Sequence, residues 1–301
     1  MSDSPFCLSA HESRAYAEDG FFIREDVFAE GEIDELRDAV ERCAARAGAA
    51  TASGRTYQID GNVYCEASGA TIQFEHAPRT KTVRVIEPFH HLDERIDRLI
   101  DDPRLVDPIR GLLGEAEVSL FTDKLNLKRP GEGSRFRWHQ DSPYWAHFHP
   151  DVERLPNAML SIDDATEVNG CLRLIPGSHR RGMLPGIEGE GRLGPLFTDP
   201  AHFDESLQVP IVLSAGSLLF FSPSVVHGSE PNDSMERRRA LILTYQRGAA
   251  RMFRWTRSGS PGVEAPGRGV RDLGASRWTG WEARSKSIGR RADGRDTYSS
   301  S

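Results

Sequence analysis

From about Val118 to Gln246 the chain is a succession of short apolar runs cut by turn residues, and that rhythm limits the fold more than any other feature. VSLFTDKLNLKRPG alternates and stops at Pro130-Gly131, and AMLSIDDA leads to Asn169-Gly170, with CLRLIP after it. SLLFFSPSVV follows Ala215-Gly216, and RRALILTYQRG closes the series. Alternation with a period of two is the signature of a pleated strand, and Asn-Gly between two apolar runs predicts a hairpin.

The first third reads differently. Ser9 is placed to cap a helix through Tyr16 that ends near Gly20, and FFIREDVF reads as a short strand. Ala29 to Ala45 carries Ile33, Leu36, Val40 and Cys43 at helical spacing, which predicts an amphipathic helix. Residues 47–61 are small and polar and read as a loop. HHLDERIDRLIDDPRLVDPIRGLLG reads as two helices broken at Asp102-Pro103 and stopped by Gly114. Helices followed by many short antiparallel strands predict an α+β protein with a jelly-roll or barrel core and flanking N-terminal helices. No internal repeat divides the chain.

Composition narrows the function. The net charge of −7 argues against general nucleic-acid binding. That charge is uneven: residues 256–301 hold nine Arg/Lys against five Asp/Glu, in a stretch rich in Gly, Ser and Arg that reads as a flexible basic extension. Neither a membrane span nor a secretory leader is expected, and four scattered cysteines suit reduced thiols in the cytoplasm.

The chemistry concentrates in RFRWHQD. In extended chain His139 and Asp141 point the same way, so both can reach one ion. An imidazole and a carboxylate joined by one further His, with positions left open, form the facial triad of non-haem Fe(II) oxygenases. His227 is the candidate for the third ligand, since it ends LLFFSPSVV where a strand opens into Gly228-Ser229. Eleven residues later Arg238 begins the next strand, where its guanidinium could grip a dicarboxylate by two parallel hydrogen bonds. Arg237, Arg238 and Arg239 are consecutive and both strand faces are apolar, so alternation alone does not choose between Arg238 and Arg239.

EDGFFIREDVF, WHQDSPYW, DDATEVNGCLRLIPGSHRRG and HGSEPNDSMERRRALILTY together resemble the phytanoyl-CoA dioxygenase family of Fe(II)/2-oxoglutarate oxygenases, which includes ectoine hydroxylase. The resemblance runs from about His11 to Gly248 and implies an oxygenase domain over residues 9–250. The implied fold is a double-stranded β-helix, a jelly roll, flanked by N-terminal helices. It further implies Fe(II) on His139, Asp141 and His227, 2-oxoglutarate as cosubstrate held by Arg238, Ser229 and Asn126, and O2 as the second cosubstrate. The eleven-residue spacing in the family selects Arg238 over Arg239. The implied reaction hydroxylates a small organic molecule with release of succinate and CO2, and retention of Asp141 favours hydroxylation over halogenation.

Desaturation, cyclisation or epimerisation would use the same cofactors, and a non-catalytic metal-binding jelly roll would need the ligands but not Arg238 with Ser229. Candidate substrate contacts are Trp145 by resemblance, Tyr144 in the loop after the HxD, Arg84 in KTVRVIEP, and Lys124 on the strand face of Asn126. A surface ion pair is the simpler expectation for Arg84, solvent or cap roles for His90 and His91, and a turn for His179.

Overall fold

The computed structural model describes residues 4–248 apart from 60, 77, 79–80, 147–148 and 188–195, together with the backbone of 251–255 and 261–266. Helix α1 (Ala10–Glu18) opens on the expected cap: the Ser9 hydroxyl accepts from Glu12 N and the Glu12 carboxylate accepts from Ser9 N. Strand β1 (Phe21–Arg24) follows, then the amphipathic helix α2 (Glu30–Ala50). Helices α3 (Glu94–Leu99) and α4 (Pro103–Leu113) are separated as the sequence predicts. The Asp102 side chain accepts from Arg104 N, Pro103 takes the first turn, and Gly114 at φ 67 ends the helix.

The stretch 47–61 is not a loop. Helix α2 runs through it to Ala50, and β2 (Arg55–Ile59) begins a meander with β3 (Asn62–Ala67), β4 (Ala70–Phe74) and β5 (Val83–Glu87). This meander joins the expected strands β6 (Val118–Lys128), β8 (Asn157–Ser161), β11 (Leu218–Phe221) and β13 (Arg238–Arg247) in one sheet of order β1-β11-β8-β13-β6-β5-β4-β3-β2. A smaller sheet has order β10-β9-β12-β7, from β7 (Phe136–His139), β9 (Leu172–Leu174), β10 (Val209–Ile211) and β12 (His227–Ser229). Of the expected extension 256–301 only β15 (Pro261–Pro266) is described, paired antiparallel with β14 (Arg251–Trp255).

Asn169-Gly170 does not close a hairpin, because β8 lies in the large sheet and β9 in the small one. The turn chemistry is present: Gly170 has φ 76, and the Asn169 side chain accepts from Thr166 N and donates to Asp164 O. Here it serves a crossing between layers. The middle of the large sheet is buried on both faces. Ile33, Leu36 and Val40 of α2 pack with Leu125, Leu160 and Leu241 on one side, while Met159, Leu219, Phe221 and Ala240 meet Leu172, Leu174 and Ile211 between the sheets on the other. Strands β8 and β11 are accordingly buried at every residue rather than alternately. No described helix is long and apolar enough to cross a membrane, and no disulfide is formed among the described residues.

Candidate metal centre and active site

Strands β7 and β12 are antiparallel neighbours, and His227 is the cross-strand partner of His139. Their rings therefore stand side by side, with centroids 4.1 Å apart. Asp141 follows two residues after His139, in a turn pinned where Asp141 N and Ser142 N both donate to Pro223 O, at 2.8 and 3.1 Å. Gln140 points the other way. Its side chain donates to Gly182 O and Ser224 O and accepts from Leu184 N, which locks the segment between the two candidate ligands. One ligand atom from each of His139, Asp141 and His227 lies within 4.8 Å of the others, and no other group of three converges in this way among the described residues.

The protonation states suit a divalent ion. His139 Nδ1 lies 2.7 Å from Arg137 O and His227 Nδ1 lies 3.0 Å from Val225 O. A carbonyl can only accept, so each Nδ1 carries the hydrogen and each Nε2 keeps its lone pair. Burial, with the neighbouring imidazole adding to it, pushes His139 down to about 3; burial lowers His227 as well. Burial alone would raise Asp141, but Lys124, with the hydrogen bond from Asn157 adding to it, holds the carboxyl below its usual range. Two neutral nitrogens and one anionic oxygen on one side of a buried point are the donor set of a facial triad. Asn157, which the sequence reading missed, orients the carboxylate: its Nδ2 donates to Asp141 Oδ2 at 2.8 Å while its Oδ1 accepts from Thr244 Oγ1 at 2.6 Å. Lys124 Nζ approaches the other oxygen at 3.4 Å.

His139, Asp141, His227 and Lys124 line a cavity of about 600 Å³. Arg238 lines it too, buried and without a hydrogen bond or ion pair among the described residues; burial pushes it down to about 10. The ambiguity over which arginine enters is resolved by register. Arg238 shares its face with Ala240 and Ile242 toward the cavity, whereas Arg239 turns to the helix side and is held by both Asp163 oxygens and by Glu41. Ser229 Oγ is buried with no partner, and Asn126 lines the same wall. An unpartnered guanidinium and an unpartnered hydroxyl in one buried recess fit an anionic cosubstrate group.

The candidate substrate contacts are also brought to the cavity. The Tyr144 ring stands edge-on to His139 with centroids 5.9 Å apart. Trp145 reaches the lining but is mostly committed to packing with Phe121, Val152 and Leu155, and Lys124 Nζ lies 5.1 Å from its ring. Arg84 is not in a surface ion pair: it is buried, lines the cavity and stacks on Phe136. His90 is likewise buried, against Asp123 at 2.7 Å, because that carboxylate also accepts from the backbone of Phe89 and His90. His91 donates to Ser68 O, and His179 packs beneath the turn at Gly20. The meander supplies lining residues that sequence reasoning did not find, among them the stacked pair Tyr57 and Tyr64 and the carboxyl of Glu87, which burial raises to about 7.

Residues 16–240 match the family described as phytanoyl-CoA dioxygenase. The chain is 30% identical over 265 residues to an ectoine dioxygenase of Bordetella parapertussis, covering 79% of this chain and 75% of that protein. It is 31% identical over 190 residues to an L-proline trans-4-hydroxylase of Streptomyces griseoviridis, covering 56% and 69%. The crystal structure of EctD from S. alaskensis in its apoform superposes with a TM-score of 0.63 at 25% identity, covering 92% of this chain and 88% of that one.

Proposed function

The chain belongs to the phytanoyl-CoA dioxygenase family of Fe(II)/2-oxoglutarate-dependent enzymes, and from that premise we propose that it hydroxylates a small organic molecule, using O2 and 2-oxoglutarate and releasing succinate and CO2. The observation that carries this reading is the pairing of two functions in one cavity: three convergent ligand atoms and, beside them, a buried guanidinium with no side-chain partner among the described residues. Fe(II) held by His139, Asp141 and His227 supplies the oxidative chemistry when bound.

The protein's own part is positional. Asn157 and the carbonyls of Arg137 and Val225 fix the ligand orientations before the ion arrives. Arg238 and Ser229, with Asn126 beside them, receive the distal carboxylate of 2-oxoglutarate and set its angle to the ligands. Tyr144 and Trp145 line the approach, and Lys124 keeps Asp141 ionised. A metal-binding module without catalysis would have no use for Arg238 and Ser229. Four cysteines without a disulfide among the described residues favour a reducing compartment and hence a cytoplasmic enzyme.

Anaerobic Fe(II)-protein titrated with 2-oxoglutarate should develop a weak visible charge-transfer band, lost in Asp141→Ala and Arg238→Ala. A wild-type protein without the band, or variants that keep it, would sink the proposal. Analysis of the product then separates hydroxylation from desaturation, cyclisation and epimerisation, which would draw on the same residues.

A further inference from the structure

Three arginines are buried outright among the described residues: Arg84, Arg238 and Arg239. Arg239 has its carboxylates, Asp163 and Glu41. The half-buried Arg24 and Arg104 have theirs in Glu12 and in Asp102 with Glu32. Among the described residues Arg84 and Arg238 have none within ion-pair distance, and both line the cavity. A buried charge left without a counter-ion is costly, so such a group is retained where something outside the chain completes it. The cosubstrate accounts for Arg238. It does not account for Arg84, which sits on β5 and stacks on Phe136.

The immediate contacts of Arg84 orient it without neutralising it. One terminal nitrogen donates to His76 Nε2 at 2.8 Å, the other donates to Arg135 O at 2.6 Å, and Nε is buried with no partner. His76 is kept neutral by its own burial and by Arg84. Glu75 acts on Arg84 only from a distance, with one of its oxygens taken by the backbone and hydroxyl of Ser134. The cavity as a whole repeats the imbalance. Arg84, Lys124, Arg135 and Arg238 face two carboxyl groups, Glu87 and Asp141, leaving two positive charges even with Arg137 set aside. A divalent iron and a dianionic cosubstrate cancel each other, so filling the site as proposed leaves that excess in place.

We infer that the substrate carries an oxyanionic group, a carboxylate or a phosph(on)ate, gripped by Arg84 deep in the cavity with Arg135 at its mouth. The inference rests on the oxygenase reading only for what happens to the substrate once it is held. Guanidinium offers such a group two parallel donors, and stacking on Phe136 fixes the plane in which they lie.

The test uses matched acids and amides. Benzoate, phenylphosphonate and benzamide are titrated calorimetrically into anaerobic Fe(II)-protein saturated with 2-oxoglutarate. At least one anion should bind about tenfold or more tighter than benzamide, a difference that falls as salt is raised. Arg84→Gln should erase the preference while the 2-oxoglutarate charge-transfer band persists, and Arg84→Lys should keep part of it. Equal binding of acids and amide, no binding of either anion at millimolar concentration, or a preference intact in Arg84→Gln would overturn the inference. If Arg84→Gln does not fold, the wild-type comparison and its salt dependence decide alone. A wild type without the band defeats the oxygenase reading instead, and the same acid–amide titration of metal-free protein still decides the role of Arg84.

Discussion

Arg238 and Lys128 are direct partners across the β13–β6 ladder, so two buried basic side chains share one face of the sheet. Lys128 donates to Glu230 O, and burial, with Arg238 and Arg84 adding to it, pushes its amine down to about 6. Glu75 and Glu230 are the acids that oppose this. Between pH 6 and the unfolded value near 10.5 the unfolded chain holds a proton that the native state does not, so this group's contribution to stability rises with pH across that window. Thermal melts of Lys128→Met and wild type should therefore show any advantage of the variant shrinking as pH rises, by at most about 1.4 kcal/mol per unit. A dianion arriving at Arg238 should also draw Lys128 toward its charged form. Calorimetry in buffers of different ionisation enthalpy should detect proton uptake on 2-oxoglutarate binding between about pH 6 and 8 in wild type but not in Lys128→Met.

Asn157 touches no ion itself, yet it holds one oxygen of Asp141. Asn157→Ala should weaken Fe(II) binding by about 10- to 100-fold in chelator competition, as loss of an outer-shell partner does elsewhere. Asp141→Ala should do more, and Fe(II) should then no longer raise its melting temperature. In wild type that rise should be evident, since ligand at about a thousand times Kd adds roughly 4 kcal/mol. An Asn157→Ala protein with unaltered iron affinity would contradict the orienting role.

The neighbouring arginines should fail in opposite ways. Arg238→Met removes a charged donor from the cosubstrate recess and should cost roughly 2 to 4 kcal/mol of 2-oxoglutarate binding, or about 30- to 1,000-fold, with little change in melting temperature. Arg239→Met strands Asp163 in a half-dry ion pair and should cost about 3 kcal/mol of stability while sparing cosubstrate affinity. Denaturant melts beside band titrations read both, and a swap of the two phenotypes would refute the register argument.

Gly170 has φ 76, and a Cβ there would stand 2.3 Å from Glu230 O and 2.7 Å from Lys128 Nζ. Gly170→Ala should lose roughly 2 to 4 kcal/mol of stability. Because the displaced backbone lies between His227 and Arg238, weaker 2-oxoglutarate binding should accompany the loss. An alanine variant as stable as wild type would show that the segment can give way.

What could be read in advance follows the range of the interactions involved. The Ser9 cap, the break at Asp102-Pro103 and the spacing of His139 and Asp141 are local, and they stand as the sequence implies. The choice of Arg238 over Arg239 comes from the family spacing and not from alternation, because both faces of β13 are apolar; the register of β13 puts Arg238 on the cavity side. The meander escaped notice because its outer strands are half-exposed and polar, so little apolar alternation marks Arg55–Ile59 as a strand; pairing with β3 makes it one. Asn169-Gly170 has the residues of a hairpin turn, but no local chemistry says whether the next strand returns to the same sheet or crosses to the other. The burial of His90 is hidden for a similar reason, since Asp123, its partner, lies on a different element.

The sheet order has a consequence for how such a molecule can diversify. His139 and His227 come from the small sheet and Arg238 from the middle of the large one, whereas Arg84, Tyr57 and Tyr64 come from strands added in series at its outer end. On the proposed function, the iron and the cosubstrate would be handled in the interior, and part of the substrate would be met at a margin that contributes no ligand. Exchange of residues 55–87 between relatives would change what the catalyst accepts while leaving its oxidising apparatus untouched, so the outer strands behave as an interchangeable jaw on a fixed tool.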